Sequence, residues 1–205
     1  MHKFERGEEP EGLKKARKQK RSWDEFVRTP AHIELAECLY ERQERCCAYC
    51  DMTIKSIKDG HIEHLERRSN APKRALDWGN LFFSCQRKDS CGKYKDSEIS
   101  GAIDSRLVVD PSQEDPLDYF SYAETGEMVV VKRNDEKAET TIKVFNLNTQ
   151  RLKNARSRAY RNAIVFLKNY DNLGENPPKE AVEEFLNDWR EEEFFSSVFR
   201  YILKR

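Results

Sequence analysis

Long apolar runs are absent from this chain of 205 residues. No stretch approaches the roughly 18 consecutive apolar residues that a membrane-spanning helix needs, so no membrane association is expected. The first 21 residues are charged throughout and contain no apolar segment of the kind that a secretion signal requires. No segment repeats at a fixed period, so nothing indicates a repeat architecture. We therefore expect a protein of the cytoplasm.

An excess of positive charge is also missing. The 37 Lys and Arg residues are matched by 37 Asp and Glu residues, and the formal net charge is +0. This balance counts against a generic nucleic-acid-binding domain, which is usually basic. The charge is uneven, however: residues 13–21 and 151–168 carry basic groups without acid, whereas residues 180–193 are mainly acidic. Each run fits a solvated helix face as readily as a surface for phosphates or a partner.

Patterning divides the chain into three segments: a basic, helical segment over 1–45, a core over 46–100 and an α+β extension over 101–205. In the first segment, apolar spacing predicts a helix over 32–45. In the last, it predicts a short strand at 107–109, a hairpin over 119–131 with a turn at Thr125-Gly126, and a long helix over 152–167. Asn148 is the predicted N-cap, residues 172–174 end that helix, and Pro177-Pro178 opens a final one.

The cysteines indicate a metal site in the middle segment. A reducing compartment disfavours a disulfide framework. Cys47 and Cys50 form a C-x2-C pair, and Cys85 and Cys91 form a second pair with five residues between them. Two short-range pairs far apart in sequence are the usual source of four tetrahedral zinc ligands. Cys46 competes with Cys47, but only Cys47 has the two-residue spacing to Cys50. The alternative is that the cysteines are unrelated small buried residues, and this alternative explains their paired spacing less well.

Groups suited to phosphodiester hydrolysis lie between the two cysteine pairs. His61, Glu63 and His64 fall within four residues, and Asn80 and Lys95 follow. A neutral histidine can take a proton from water near neutral pH, and a carboxylate can hold a divalent metal. Either histidine alone would be interpreted as an ordinary surface or core residue. Because both lie between the two cysteine pairs, a catalytic site is favoured.

These motifs resemble the HNH endonucleases, whose zinc-stapled ββα-metal core the chain is expected to share, with flanking helices and a small β-hairpin. More narrowly, residues 61–69 (HIEHLERRS), 76–85 (LDWGNLFFSC) and 91–96 (CGKYKD) are similar to the HNH endonucleases that accompany retrons and to the PtuB family of Septu antiphage systems. The likeness extends, more weakly, over residues 3–168.

The resemblance implies a role for each motif residue. His64 would be the general base, Glu63 a metal ligand and Asn80 a structural support for its loop. Lys95 would lie near the scissile phosphate. Four cysteines, Cys47, Cys50, Cys85 and Cys91, would bind structural zinc. Nucleic acid would be contacted by basic residues that lie beside these motifs, namely Arg67, Arg68, Lys93 and Lys95.

One position departs from the family pattern. Many HNH proteins place a metal-binding Asn directly after the last cysteine, whereas this chain has Gly92. Asp96, one helical turn later, is the first replacement that we consider, and His61 is the second. The catalytic metal is expected to be Mg²⁺ or Mn²⁺, because most of its ligands would be oxygen atoms.

Three functions stay open at this stage. The first is a DNA endonuclease in phage defence, working with an ABC-type ATPase that the resemblance implies. The second uses the same site on RNA, such as tRNA, because HNH chemistry needs no base on the sugar. The third is a non-catalytic zinc-binding interaction module, which would have no use for His64 and Glu63.

Overall fold

The N-terminal third is helical. The computed structural model describes residues 1–99, 101–171, 177–190 and 195–203. Its first helices are α1 (Glu11–Lys18), α2 (Trp23–Phe26) and α3 (Pro30–Arg42). The predicted helix over 32–45 is thus confirmed as α3, with its first turn opened by Pro30, where a missing N–H costs nothing. It ends early because Glu44 and Arg45 adopt left-handed backbone angles, with φ of 53° and 61°.

A ββα unit follows the first cysteine pair. It consists of β1 (Gly60–His64), β2 (Leu81–Cys85) and α4 (Cys91–Glu98). The strands are antiparallel, with Gly60 opposite Cys85 and His64 opposite Leu81. All five residues of β2 are buried, which explains its unbroken apolar and aromatic sequence. The loop between the strands ends in a short 3-10 turn over Trp78–Asn80.

The far edge of β2 is covered by a side chain. The amide of Gln43, just after α3, accepts a hydrogen bond from the Phe83 N–H at 2.8 Å and donates one to the Phe83 carbonyl at 2.8 Å. Gln43 thereby takes the place of a third strand and attaches α3 to the hairpin. Because the amide is fully buried and both its ends are paired, it anchors the unit without leaving a polar group unsatisfied.

The C-terminal extension combines a hairpin with helices. Strands β3 (Phe120–Tyr122) and β4 (Met128–Val130) form the predicted hairpin, and Gly126 turns between them at φ 81°. The helices that follow are α5 (Glu136–Val144), α6 (Gln150–Asp171), α7 (Lys179–Arg190) and α8 (Ser196–Leu203). The long and final predicted helices are confirmed as α6 and α7. The predicted end at 172–174 lies outside the described residues.

Two predictions in this extension are wrong. Residues 107–109 form no strand: Ser105–Leu107 is a 3-10 turn, and Val108 and Val109 are buried without a partner strand among the described residues. Asn148 does not cap α6. Its side chain instead exchanges two 2.9 Å hydrogen bonds with the backbone of Met128 in β4, while the Thr149 hydroxyl accepts from the Leu152 N–H at 3.3 Å. Pairing with a distant strand has outweighed the local preference for a cap.

One buried apolar cluster runs through the described residues, from Met1 to Ile202, and takes side chains from all three predicted segments. The α+β class is confirmed. The boundaries at 45 and 100 stay predictions. Within the described ranges, no helix has the length and apolar character to cross a membrane.

Candidate active site and metal centre

The four predicted zinc ligands come together. The ligand atoms of Cys47, Cys50, Cys85 and Cys91 all lie within 4.8 Å of one another, and all four residues are buried. Cys47 and Cys50 lie on a tight turn, Cys85 ends β2, and Cys91 begins α4 with a left-handed φ of 62°. Four convergent thiols without apolar filling suit a tetrahedral metal ion, for which zinc is the usual occupant.

The electrostatics of the thiols fits the same role. Burial raises the pKa of the Cys47 thiol, but hydrogen bonds with Cys50, Cys85 and Cys91 outweigh burial and hold this pKa well below its ordinary value. Burial raises the pKa of the Cys91 thiol well above its ordinary value. A dication bound between the thiols would oppose the effect of burial and stabilise thiolates.

The imidazole of His64 is oriented by the loop between the strands. Its Nε2 donates a hydrogen bond to the Ala75 carbonyl at 2.9 Å, which leaves Nδ1 as the acceptor nitrogen. The Trp23 ring packs edge-on against it, with the centroids 4.3 Å apart. The side chain is largely buried, and this burial is the main cause that lowers the pKa of His64 below its ordinary value. The neutral ring is therefore favoured at neutral pH.

Glu63 lies at the centre of a buried group of charges. Its Oε1 is 2.6 Å from the Lys95 Nζ, and its Oε2 is 3.3 Å from the His61 Nε2. The Lys95 Nζ also lies 2.8 Å from the Asp96 Oδ1 and donates to the His64 carbonyl at 2.7 Å. The ammonium thus sits between the two carboxylates considered as metal ligands.

Lys95 differs from the expectation that it lies beside a phosphate. Its side chain is 0% exposed, and its ammonium is used to hold Glu63 and the end of β1. Lys95 therefore orients the carboxylate from within the fold, and does not line the cleft. Among the basic residues expected to contact nucleic acid, Lys93 and Arg68 are exposed, whereas Arg67 is largely buried and donates to Asp96 at 3.0 Å.

The departure at Gly92 has a steric explanation. A Cβ atom at this position would lie 2.4 Å from the Glu63 Oε2 and 2.5 Å from its Cδ, so a side chain here would force the Glu63 carboxylate to move. The missing side chain on α4 therefore gives room to the long carboxylate of Glu63. Two of the three side chains considered as ligands of a catalytic metal, His61 and Glu63, lie on β1.

Asn80 organises the loop that carries Ala75. Its Oδ1 accepts from the Glu66 N–H at 2.8 Å, and its Nδ2 donates to the carbonyls of Glu66 at 3.0 Å and Arg74 at 3.1 Å. Asn80 is fully buried, so these three bonds satisfy most of its capacity. The side chain fixes the loop whose Ala75 carbonyl orients His64.

A surface cleft of about 450 Å³ opens beside His64 and Glu63. Its lining comprises groups from β1, the following loop, α2 and α4, namely Trp23, His61, Ile62, Glu63, His64, Arg67, Arg68, Ser69, Lys93 and Asp96. The cleft thus combines the candidate base, the candidate metal ligands and two exposed cationic groups on one surface.

Sequence reasoning missed two residues that build the site. Trp23 forms a wall of the cleft, and Arg6 is buried beneath β2, where it donates to the carbonyls of Trp78 at 2.7 Å and Leu81 at 2.6 Å. Both come from the N-terminal segment and lie far in sequence from the motif. Only the aromatic and helical character of residues 23–26 gave a signal, and nothing pointed to Arg6.

Comparisons with known proteins agree with the motif resemblance. The chain is 24% identical to Septu protein PtuB of Bacillus mycoides (strain KBAB4), over 55% of this chain and 46% of that relative. It is 28% identical to Septu protein PtuB of Bacillus thuringiensis, over 57% of this chain and 41% of that relative. No protein-family model matches the chain. The resemblance to the Septu PtuB family is confirmed, and the aligned part spans less than half the length of these relatives.

Proposed function

We propose that this chain is a metal-dependent HNH-type endonuclease, the nuclease component of an antiphage defence system that works with an ABC-type ATPase. The likeness to Septu protein PtuB supports the defence role. The observation that carries the nuclease assignment is the fixed His64 imidazole beside Glu63, on a hairpin and helix fastened by four cysteines. A zinc-binding module without catalysis would gain nothing from this arrangement.

In the proposed reaction, His64 is the general base. With Nε2–H held by the Ala75 carbonyl, Nδ1 takes a proton from the attacking water. The low pKa of His64 keeps its ring neutral before the reaction. The positive charge that forms is then balanced by the neighbouring Glu63, whose charge raises the pKa of His64 and so favours the protonated ring.

The cleft has donor atoms that fit a divalent cation. The His61 Nε2 and the Glu63 Oε2 are 3.3 Å apart, close to the roughly 3 Å between adjacent ligands of an octahedral ion. Asp96 fits less well, because Lys95 and Arg67 both engage its carboxylate. We therefore propose Glu63 with His61 as the ligands of Mg²⁺ or Mn²⁺, and Asp96 as a support for Arg67. When bound, the metal would supply charge for the scissile phosphate and the leaving oxygen.

DNA is the favoured substrate of the proposed nuclease. Exposed Lys93 and Arg68 at its rim would contact phosphates on either side of the cut. A net charge of zero gives little nonspecific affinity, so the ATPase partner would contribute binding or regulation. RNA stays the second candidate, because no group in this mechanism distinguishes the two sugars.

The test is cleavage of plasmid DNA and of total tRNA by the purified chain with Mg²⁺ or Mn²⁺, with and without the partner ATPase. His64→Ala is the inactive variant. His32→Gln is the matched control, because His32 also packs on Trp23 but does not line the cleft. We expect wild type and His32→Gln to cleave plasmid and His64→Ala to leave it intact.

Other outcomes have distinct meanings. Cleavage of tRNA alone by wild type and control would assign the site to RNA. Cleavage by the His64→Ala protein at the wild-type rate would contradict the assignment of His64 as the general base. Absence of cleavage in all conditions, with zinc bound and the fold intact, would favour the zinc-binding interaction module.

A further inference from the structure

Cys46 lies outside the four-cysteine cluster and belongs to a second group of side chains that could hold a metal ion. The ligand atoms of His2, Cys46 and Asp51 all lie within 4.8 Å of one another, and each of these residues is at most 5% exposed. Sulfur, imidazole nitrogen and carboxylate oxygen form a donor set that suits zinc well. The group lies on the other side of the same cysteine turn, because Cys46 and Asp51 directly flank the Cys47–Cys50 pair.

The carboxylate of Asp51 is held as metal ligands usually are. Its Oδ2 accepts from the Ser197 N–H at 2.6 Å, and its Oδ1 accepts from the Ser196 hydroxyl at 3.3 Å. Asp51 itself is fully buried and adopts a left-handed φ of 68°. A ligand carboxylate is commonly fixed by such hydrogen bonds from neighbouring groups.

His2 completes the group and connects it to open space. Its Nδ1 contacts the Asp51 Oδ1, and its Nε2 is buried without a hydrogen-bond partner among the described residues. The Nδ1 that faces Asp51 is the ring nitrogen placed to share an ion with that carboxylate. His2 and Ser197 also line a cavity of about 750 Å³, which gives an ion a path from solvent and room for a water ligand.

We propose that His2, Cys46 and Asp51 bind a second zinc ion, separate from the four-cysteine site. Three protein ligands leave a fourth position for water. The ion would tie the N-terminal segment to the cysteine turn, whose Asp51 already contacts the first residues of α8. Three segments that are distant in sequence would thus be fastened at one point.

The test counts zinc per chain, by elemental analysis of protein that was saturated with zinc and then freed of loosely bound ion. The variants are His2→Gln and Cys46→Ser. Cys38→Ser is the control, because Cys38 is a partly exposed cysteine on α3 outside both groups. We expect each of the two variants to hold one zinc ion fewer than wild type and Cys38→Ser, with the four-cysteine site still filled.

An unchanged zinc count in both variants would overturn the proposal, whatever the total in wild type. His2→Gln keeps the result decisive if Cys46→Ser fails to fold, since it replaces a side chain from outside the cysteine turn. Zinc-dependent heat stability is a second readout: added zinc should raise the melting temperature of zinc-depleted wild type more than that of His2→Gln. Neither result depends on cleavage, so this proposal can fail while the nuclease assignment stands.

Discussion

At the scale of single residues, the proposed base is prepared by the groups around it. Burial lowers the pKa of His64 most, and the charges of Arg68 and Lys95 lower it further. The hydrogen bond to Ala75 and the charge of Glu63 raise it but do not reverse the shift. The ring therefore stays neutral, and able to accept a proton, at a pH where an ordinary histidine would already be charged.

This shift gives a pH dependence. Cleavage needs neutral His64, so the rate should be constant near neutral pH and fall only as the pH drops through the lowered pKa. We expect the acidic limb of kcat/KM to have its midpoint below about 6.5, the ordinary value for histidine. A pH–rate profile measures it, with His32→Gln as control. A midpoint above this value would contradict the described environment of His64.

Residue identity could be predicted from the sequence where chemistry and spacing coincide. The cysteine spacing selected Cys47 over Cys46, and the structure gathers the same four cysteines. The burial of Lys95 could not be predicted, because it depends on β1 and α4 facing each other across a loop. Nor could the sequence distinguish His61 from Asp96 as a candidate metal ligand. Arg67, which donates a hydrogen bond to the Asp96 carboxylate, lies 29 positions away in sequence.

At the scale of elements, the contact of α4 with β1 determines where the Glu63 carboxylate, a proposed ligand of the catalytic metal, can lie. Gly92 on α4 faces the Glu63 carboxylate on β1, and a Cβ there would overlap the carboxylate. An Asn at this position, as in many HNH proteins, would force the Glu63 carboxylate out of the position that it holds here. The departure at Gly92 therefore compensates for the space that the Glu63 carboxylate takes.

A double-mutant cycle tests this compensation. We expect Gly92→Ala to lower kcat/KM by about 10- to 100-fold, because it displaces Glu63 by about an ångström. The loss should shrink in a Glu63→Asp background, where the shorter side chain leaves space. Ala favours a helix over Gly by roughly 0.5–1 kcal/mol, so folding should survive. Ser97→Ala, at an exposed site of α4, is the control. Strictly additive effects of the two substitutions would contradict the account.

Element prediction succeeded where periodicity was strong and failed where a distant partner decided. The long apolar stripe of α6 and the hairpin of β3 and β4 were both predicted. The strand expected at 107–109 has no partner among the described residues, since Val109 instead donates its N–H to the Thr141 hydroxyl of α5 at 2.8 Å. The Asn148 side chain forms hydrogen bonds with β4 instead of capping α6. The local sequence predicts neither this contact nor the contact of Val109 with Thr141.

At the scale of the whole molecule, the four-cysteine cluster fastens the elements that carry the site. Cys47 and Cys50 precede β1, Cys85 ends β2, and Cys91 begins α4. A bound ion would thus fix the cysteine turn, β2 and α4 relative to each other. This explains how a chain with 36% charged residues keeps a cleft of defined geometry.

Loss of that ion should therefore destabilise the whole unit. We expect Cys85→Ser to lower the free energy of unfolding by on the order of 5 kcal/mol, or about 10–20 °C in melting temperature. Cys38→Ser should change little. Thermal unfolding followed by circular dichroism measures both, and a strong zinc chelator should bring wild type toward the Cys85→Ser value. A chelator-resistant wild type whose melting temperature matches Cys85→Ser would contradict a structural metal at this cluster.

The central claim is that His64 removes the proton from the attacking water, and chemical rescue tests it most directly. His64→Gly leaves space beside Glu63 for free imidazole in the buffer. We predict that His64→Gly with Mg²⁺ or Mn²⁺ cleaves nucleic acid only when imidazole is added, at a rate that follows the neutral fraction of the imidazole. Wild-type-like cleavage by His64→Gly without imidazole would contradict the claim.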